Sequence, residues 1–184
     1  MRNIVISVSI LFALWLYGEI KYRFAVSEVD YSALFRTEKQ RITTDYIIIH
    51  HTAIDGDTAS ILAIYDYHKN VRKWSCGFAY HFFQMRGVTY KIHADNDATA
   101  HATSYNFNSV SICVQENFSN AEPTFEVYWE VAALATRLAR KYDIPIEHIK
   151  AHREVEKEPT DCPGTNFDIE KVRTLCRLMQ TIFI

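Results

Sequence analysis

Short blocks of branched apolar residues alternate along this chain with longer stretches whose apolar positions recur every three or four residues. Residues 45–49, Asp45-Tyr46-Ile47-Ile48-Ile49, form a β-branched run bounded by polar residues, the pattern of a buried strand. Residues 58–71 place Ile61, Leu62, Ile64, Tyr65 and His68 at helical spacing, with Asp57 or Thr58 to cap the first turn. The aromatic-rich stretch 78–84 predicts a strand, Met85-Arg86-Gly87 a turn, and 88–92 the paired strand. Residues 109–114 predict one more short strand. Residues 126–142 carry Val127, Val131, Leu134, Ala135, Leu138 and Tyr142 on one helical stripe, which Asp143-Ile144-Pro145 ends. A final helix is predicted over 167–183, with Asp168 placed to favour the positive end of its dipole. Strands alternating with helices argue for a single α/β domain over 45–184, with 28–44 as a linker or first peripheral element.

The N-terminus is a separate object. Arg2 precedes an apolar run over residues 4–18, and charge returns only at Glu19, Lys21 and Arg23. A perpendicular membrane span needs about 20 residues, whereas the apolar core of a signal peptide takes about 7–15. Residues 1–27 are therefore expected to be a signal peptide or an uncleaved membrane anchor. Ala25-Val26-Ser27 is a small-residue cleavage pattern, though it lies some way past the run.

Composition narrows the class of function. Hydrophobic residues make up 48% of the 184 and charged residues 23%, which excludes a disordered chain. Lys plus Arg number 20 and Asp plus Glu 22, so there is no global basic field and no nucleic-acid partner is expected. Four cysteines are too few for a disulfide-stapled scaffold of this length. All eight histidines and all four cysteines lie beyond residue 49, so the chemistry does not involve the N-terminal segment.

Potential metal ligands occur in three places: His50-His51 at the end of the first predicted strand, His152 after the long helix, and Cys162 in Asp161-Cys162-Pro163-Gly164. Two imidazoles and one thiolate would leave one position of a tetrahedral zinc open, the catalytic pattern rather than the closed structural one. Successive strand residues point to opposite faces, so only one of His50 and His51 can easily face a metal. No short zinc-finger signature such as CxxC is present, and spacing alone leaves the metal undecided.

Four stretches carry a resemblance. They are 47–53, Ile-Ile-Ile-His-His-Thr-Ala; 74–82, Trp-Ser-Cys-Gly-Phe-Ala-Tyr-His-Phe; Ala100-His101-Ala102 with Asn106 and Ser109; and His152-Arg153-Glu154-Val155 followed by Thr160-Asp161-Cys162-Pro163-Gly164. In order and approximate spacing this resembles the zinc-dependent N-acetylmuramoyl-L-alanine amidases, which share a fold with peptidoglycan recognition proteins and phage T7-type lysozyme. The resemblance spans about residues 45–180. It implies a central mixed β-sheet flanked by helices, with His50, His152 and Cys162 holding Zn2+. It further implies Tyr80 and Thr160 as catalytic groups at the developing oxyanion, and His101 and Asn106 as substrate-binding residues. His51 then becomes a packing residue or a neighbour of the ligands, and His148 a surface histidine. His68 and His81 read equally well as structural or functional, and His93 has no counterpart.

The chain departs from the family pattern in places. Ser111 stands where the family commonly has glycine in S-I-G-I, and Glu116 where glycine is frequent. The paired cysteines of animal recognition proteins are not evident, which favours a bacterial or phage enzyme. Cys76, Cys113 and Cys176 remain once Cys162 is assigned, and each reads as a small buried hydrophobe. The resemblance thus implies a monomeric hydrolase of peptidoglycan or muropeptides, exported or membrane-anchored and facing the cell wall. A non-catalytic binding module of the same fold is the alternative. Fractionation of cells making the full chain is expected to place it in the membrane or outside the cytoplasm. Full-length protein found soluble in the cytosol would refute the export reading.

Overall fold

The computed structural model describes residues 27–182, apart from Asp57 and Glu158. The expected export segment, residues 1–27, therefore lies outside the described residues except for Ser27. No helix among those described is long and apolar enough to cross a membrane. The elements run β1 (Ser27–Asp30), β2 (Tyr46–His51), α1 (Ile61–Asp66), β3 (Phe82–Met85), β4 (Val88–Lys91), β5 (Ser109–Val114), α2 (Phe125–Tyr142), β6 (Ile149–Ala151) and α3 (Ile169–Ile182). They build one mixed sheet in the order β1-β4-β3-β5-β2-β6. β3, β5, β2 and β6 run parallel to one another, while β3 and β4 form an antiparallel hairpin and β1 lies parallel to β4 at the edge.

The sheet separates two layers. Ile47 and Ile49 of β2, Val110, Ile112 and Val114 of β5, and Phe82 of β3 pack against α2 and α3. That side holds the larger core, with Val131, Leu134 and Leu138 of α2 meeting Val172, Cys176 and Met179 of α3. On the other side Phe83 and Cys113 join Phe78, Ile64 and Phe35 beneath α1. Period-2 alternation of the strands produces this division. It assigns His51 to the α2–α3 side, where its ring stacks on Phe118, and His50 to the α1 side.

Several boundaries differ from the sequence expectation, each for a local reason. α1 is capped by Ser60, whose Oγ accepts from Ala63 N at 3.1 Å, and Thr58 instead donates to the Asp55 carbonyl. The helix then widens into a π-helical turn over Tyr67–Val71, with His68 buried in it. β3 begins at Phe82 rather than residue 78, because the preceding backbone is bonded by side chains: Ala79 N donates to His68 Nδ1 and His81 N to Ser111 Oγ. Asp168 sits just before α3 and accepts from Glu170 N at 2.9 Å, so that helix starts two residues later than its apolar pattern. The segment 28–44 supplies part of edge strand β1 and the buried Phe35.

The segment after β6 crosses closely over Phe118, in the loop after β5, at Gly164. Its φ is +110°, and a methyl group there would lie 2.7 Å from both Cβ and O of Phe118. Gly164→Ala is therefore expected to cost about 2–4 kcal/mol, from left-handed backbone strain together with overpacking. Urea unfolding of the two proteins checks this, and equal midpoints would show that the crossing is loose.

Candidate metal centre

The carboxyl end of β2 carries His50, fully buried on the α1 side of the sheet. β6 runs beside β2 and ends at Ala151, so that His152 emerges at the same edge in a short 3-10 turn. Cys162 arrives on the loop that follows. Arg153 fixes that loop: its backbone N–H donates to the Cys162 carbonyl, and its guanidinium to the carbonyls of Gly164 at 2.9 Å and Phe167 at 2.6 Å. One ligand atom from each of His50, His152 and Cys162 lies within 4.8 Å of the others. His50 Nδ1 faces Cys162 Sγ at 3.7 Å. Nitrogen and sulfur ligands on a tetrahedral zinc stand about 3.5 Å apart, given metal–ligand distances of about 2.0–2.3 Å. The donor set and its spacing therefore fit a divalent metal of borderline softness.

The surroundings hold the two imidazoles in binding form and leave the thiol protonated until a metal arrives. Burial, followed by the field of His152, keeps His50 neutral by pushing its pKa well below the ordinary range. His152 is also lowered by burial, against the opposing pull of Glu156, whose Oε2 lies 3.2 Å from Nε2. Burial raises the Cys162 thiol to about 12, against the His51 backbone N–H and the charge of Arg153. Coordination reverses that balance and deprotonates a thiol outright.

Tyr80 stands over the centre, its ring centroid 5.0 Å from that of His50 and 5.7 Å from that of His68. Burial, then Cys113 and Cys162 beside it, hold the phenol well above its ordinary pKa, so it remains a proton donor. It also lines a groove of about 560 Å³ together with Ile54, Ile64, Tyr67 and Trp74, with Arg72 the sole permanent cation among the lining residues. Thr160 Oγ1 accepts from Cys162 N at 3.2 Å and keeps its own proton to donate.

The remaining sequence candidates have definite places. His51 turns away and accepts from Phe118 N at 3.2 Å. His148 stacks on Tyr46 and reaches the Asp45 carbonyl at 2.9 Å, remote from the centre. His101 lies behind the metal donors, with Nδ1 3.2 Å from His50 Nε2, rather than on the groove wall. Asn106 also faces away from that groove, since its Oδ1 accepts from His101 N and Ala102 N. His81 bridges Ser111 Oγ and the Asp97 carbonyl, both at 2.9 Å, and His93 bonds the Phe78 carbonyl, so both are structural. Glu116 braces the loop after β2 by accepting from Gly56 N and Asn117 N. Glu156 went unnoticed in the sequence; its spacing four residues after His152 was the available signal.

A family model for N-acetylmuramoyl-L-alanine amidase matches residues 39–165, and the chain belongs to that family. Among solved structures, the amidase LysC of Clostridium intestinale superposes with a TM-score of 0.67 at 29% identity, covering 80% of this chain and 94% of that one. An endolysin of the Thermus scotoductus bacteriophage Ph2119 gives a TM-score of 0.67 at 21% identity, over 81% of this chain and 98% of its own. Drosophila PGRP-LB shares the fold at 23% identity and a TM-score of 0.63, over 76% and 88%. A search of curated protein sequences finds no significant match.

Acid should loosen this arrangement. Burial lowers His51 and His68 to about 4, and lowers His50, His81 and His93 as well. The unfolded chain takes up these protons near pH 6.5, before the folded protein does, so stability is complete above about 6.5 and falls towards pH 4. Urea midpoints of the metal-free protein are expected to drop across that window. A flat profile would contradict neutral, buried imidazoles.

Proposed function

We propose that the protein hydrolyses the amide between N-acetylmuramic acid and L-alanine in peptidoglycan or muropeptides, with zinc held by His50, His152 and Cys162. The observation that carries this reading is the convergence of those three donors, with the Tyr80 ring against His50 and also lining a largely apolar groove. Zinc in an open three-ligand site supplies Lewis acidity and activates water near neutral pH.

The chain's own groups do the rest. Hydrolysis adds water across the C–N bond, leaving a carboxylate on the lactyl side and an amine on L-alanine. Negative charge builds on the carbonyl oxygen in the transition state, and in this reading Tyr80 and Thr160 are the hydroxyl donors for it. The high pKa of Tyr80 keeps that phenol protonated through the working pH range. Ile64, Tyr67 and Trp74 offer the stem peptide an apolar wall, and Arg72 a cation for its carboxylates. Delivery to the wall by the N-terminal segment completes the reading. A second reading, binding without cleavage, draws on neighbours of the same fold: the peptidoglycan recognition proteins LCa and LCx are described in complex with tracheal cytotoxin.

Metal analysis of the dialysed protein is expected to find about one zinc per chain, lost in His50→Ala and in Cys162→Ala and kept in His51→Ala. Tyr80→Phe should hold its zinc and bind muropeptides yet cleave them about 100- to 1000-fold more slowly. Mass spectrometry of muropeptide digests reads the result. Parental protein that binds zinc and muropeptides but cleaves none would install the second reading.

A further inference from the structure

Hydrogen bonds behind the three donor atoms decide which nitrogen of each ligand histidine is free. The chain of bonds starts at Ser109, which is fully buried. Its hydroxyl has one proton, given to the Tyr105 carbonyl at 2.6 Å, and a carbonyl can only accept. Ser109 Oγ therefore offers lone pairs to His101 Nε2, 3.1 Å away, and that nitrogen must carry the proton. In a neutral imidazole the other nitrogen is then bare, so His101 Nδ1 accepts. It lies 3.2 Å from His50 Nε2, which must donate. His50 Nδ1 is left with its lone pair exposed, and this is the atom that faces Cys162 Sγ.

The second ligand is governed from the same loop. Thr103 N donates to Glu156 Oε2 at 3.2 Å, and the same oxygen lies 3.2 Å from His152 Nε2. A carboxylate accepts only, so His152 also carries its proton on Nε2 and presents Nδ1 bare. Asn106 Oδ1 stiffens the loop by taking the N–H groups of both His101 and Ala102, at 3.0 and 2.9 Å.

We propose that residues 101–109 form a clamp that sets the metal-binding tautomer of both histidine ligands, with His101 and Ser109 as positioning residues for His50 and Glu156 for His152. The proposal rests on the metal reading above. It gives His101 a task that consumes both ring nitrogens, and Asn106 Oδ1 a task within the loop, in place of substrate contact.

Nitrogen-15 spectra of the imidazoles in the metal-free full chain test it directly. His50 and His152 are expected as tautomers protonated on Nε2. A parental His50 protonated on Nδ1 would overturn the proposal. Zinc affinity, measured by competition with a chelator, supplies the second readout. His101→Leu should weaken zinc about 10- to 100-fold, the usual effect of losing such a partner. His101→Gln keeps a carbonyl that accepts from His50 and should recover most of that loss. Equal losses in the two variants would mean that His101 merely fills space, and the proposal falls. Ser109→Ala, the milder change, should shift His101 and His50 towards the opposite tautomers and weaken zinc in the same direction. Should His101→Leu not fold, this variant decides, and spectra and affinity like the parent's would refute the clamp. Parental protein that binds no zinc would overturn the metal reading and the clamp together, whereas zinc binding with the wrong His50 tautomer overturns the clamp alone.

Discussion

Parallel pairing between β2 and β5 is the constraint on which the site depends. Its register sets His50 beside Cys113 and Tyr46 beside Ser109, and β6 joins the other edge of β2 so that His152 follows directly from the ladder. Side chains alternate faces along a strand, so a slip of one residue would exchange His50 for His51. The imidazole that meets Cys162 would then be turned towards Phe118, and Ile47 and Ile49 would leave the α2–α3 core. The apolar and the chemical halves of the sequence therefore enforce the same register. Burial of Ile47 and Ile49 stabilises the only pairing in which the donors converge.

That coupling explains why the smaller layer of the protein is unusually polar. Ser109, Ser111, His50, His81 and His101 are all buried on the α1 side. Burying an unpartnered polar group costs a few kcal/mol. Here the groups satisfy one another: His81 takes Ser111 and the Asp97 carbonyl, His101 takes Ser109, and His50 takes His101. The site is preorganised by a network in which most rings have their orientation fixed at both nitrogens. Ser111, at a position where the sequence resemblance implies glycine, is part of this network, since its hydroxyl meets both the backbone and the ring of His81. The departure from the family pattern is thus a compensated one.

Much of this was legible in the sequence because strong signals coincide with strong structure. The β-branched run of β2 is a buried strand, the strand over 109–114 is β5, and the stripe of α2 buries the face its period predicts. The three candidate donors were legible only through motif order, since 102 residues separate His50 from His152 and no periodicity links them. What escaped was set by tertiary context. β6 is three residues long and gains its partners only from β2. Residues 78–81 have strand composition, yet their amides are taken by His68 and Ser111. The places of His101 and Asn106 also depend on contacts no local pattern encodes, because a loop histidine pointing inward and one pointing at ligand look alike in sequence.

The C-terminal helix gives one of the fold's bonds a wider meaning. Arg173 of α3 is buried and donates to the Ile149 carbonyl of β6 at 2.8 Å, while its guanidinium pairs with Glu154, which in turn accepts from Ala151 N at 2.7 Å. These bonds flank His152 on both sides. The family match ends at residue 165, before α3 begins, and starts at residue 39, after β1. The stretch that kinship marks out and the body that folds are therefore different objects in this protein. Trimming the gene to the recognisable stretch would remove the helix that anchors the neighbours of the candidate donor His152, so the part that looks dispensable by comparison belongs to the site by architecture.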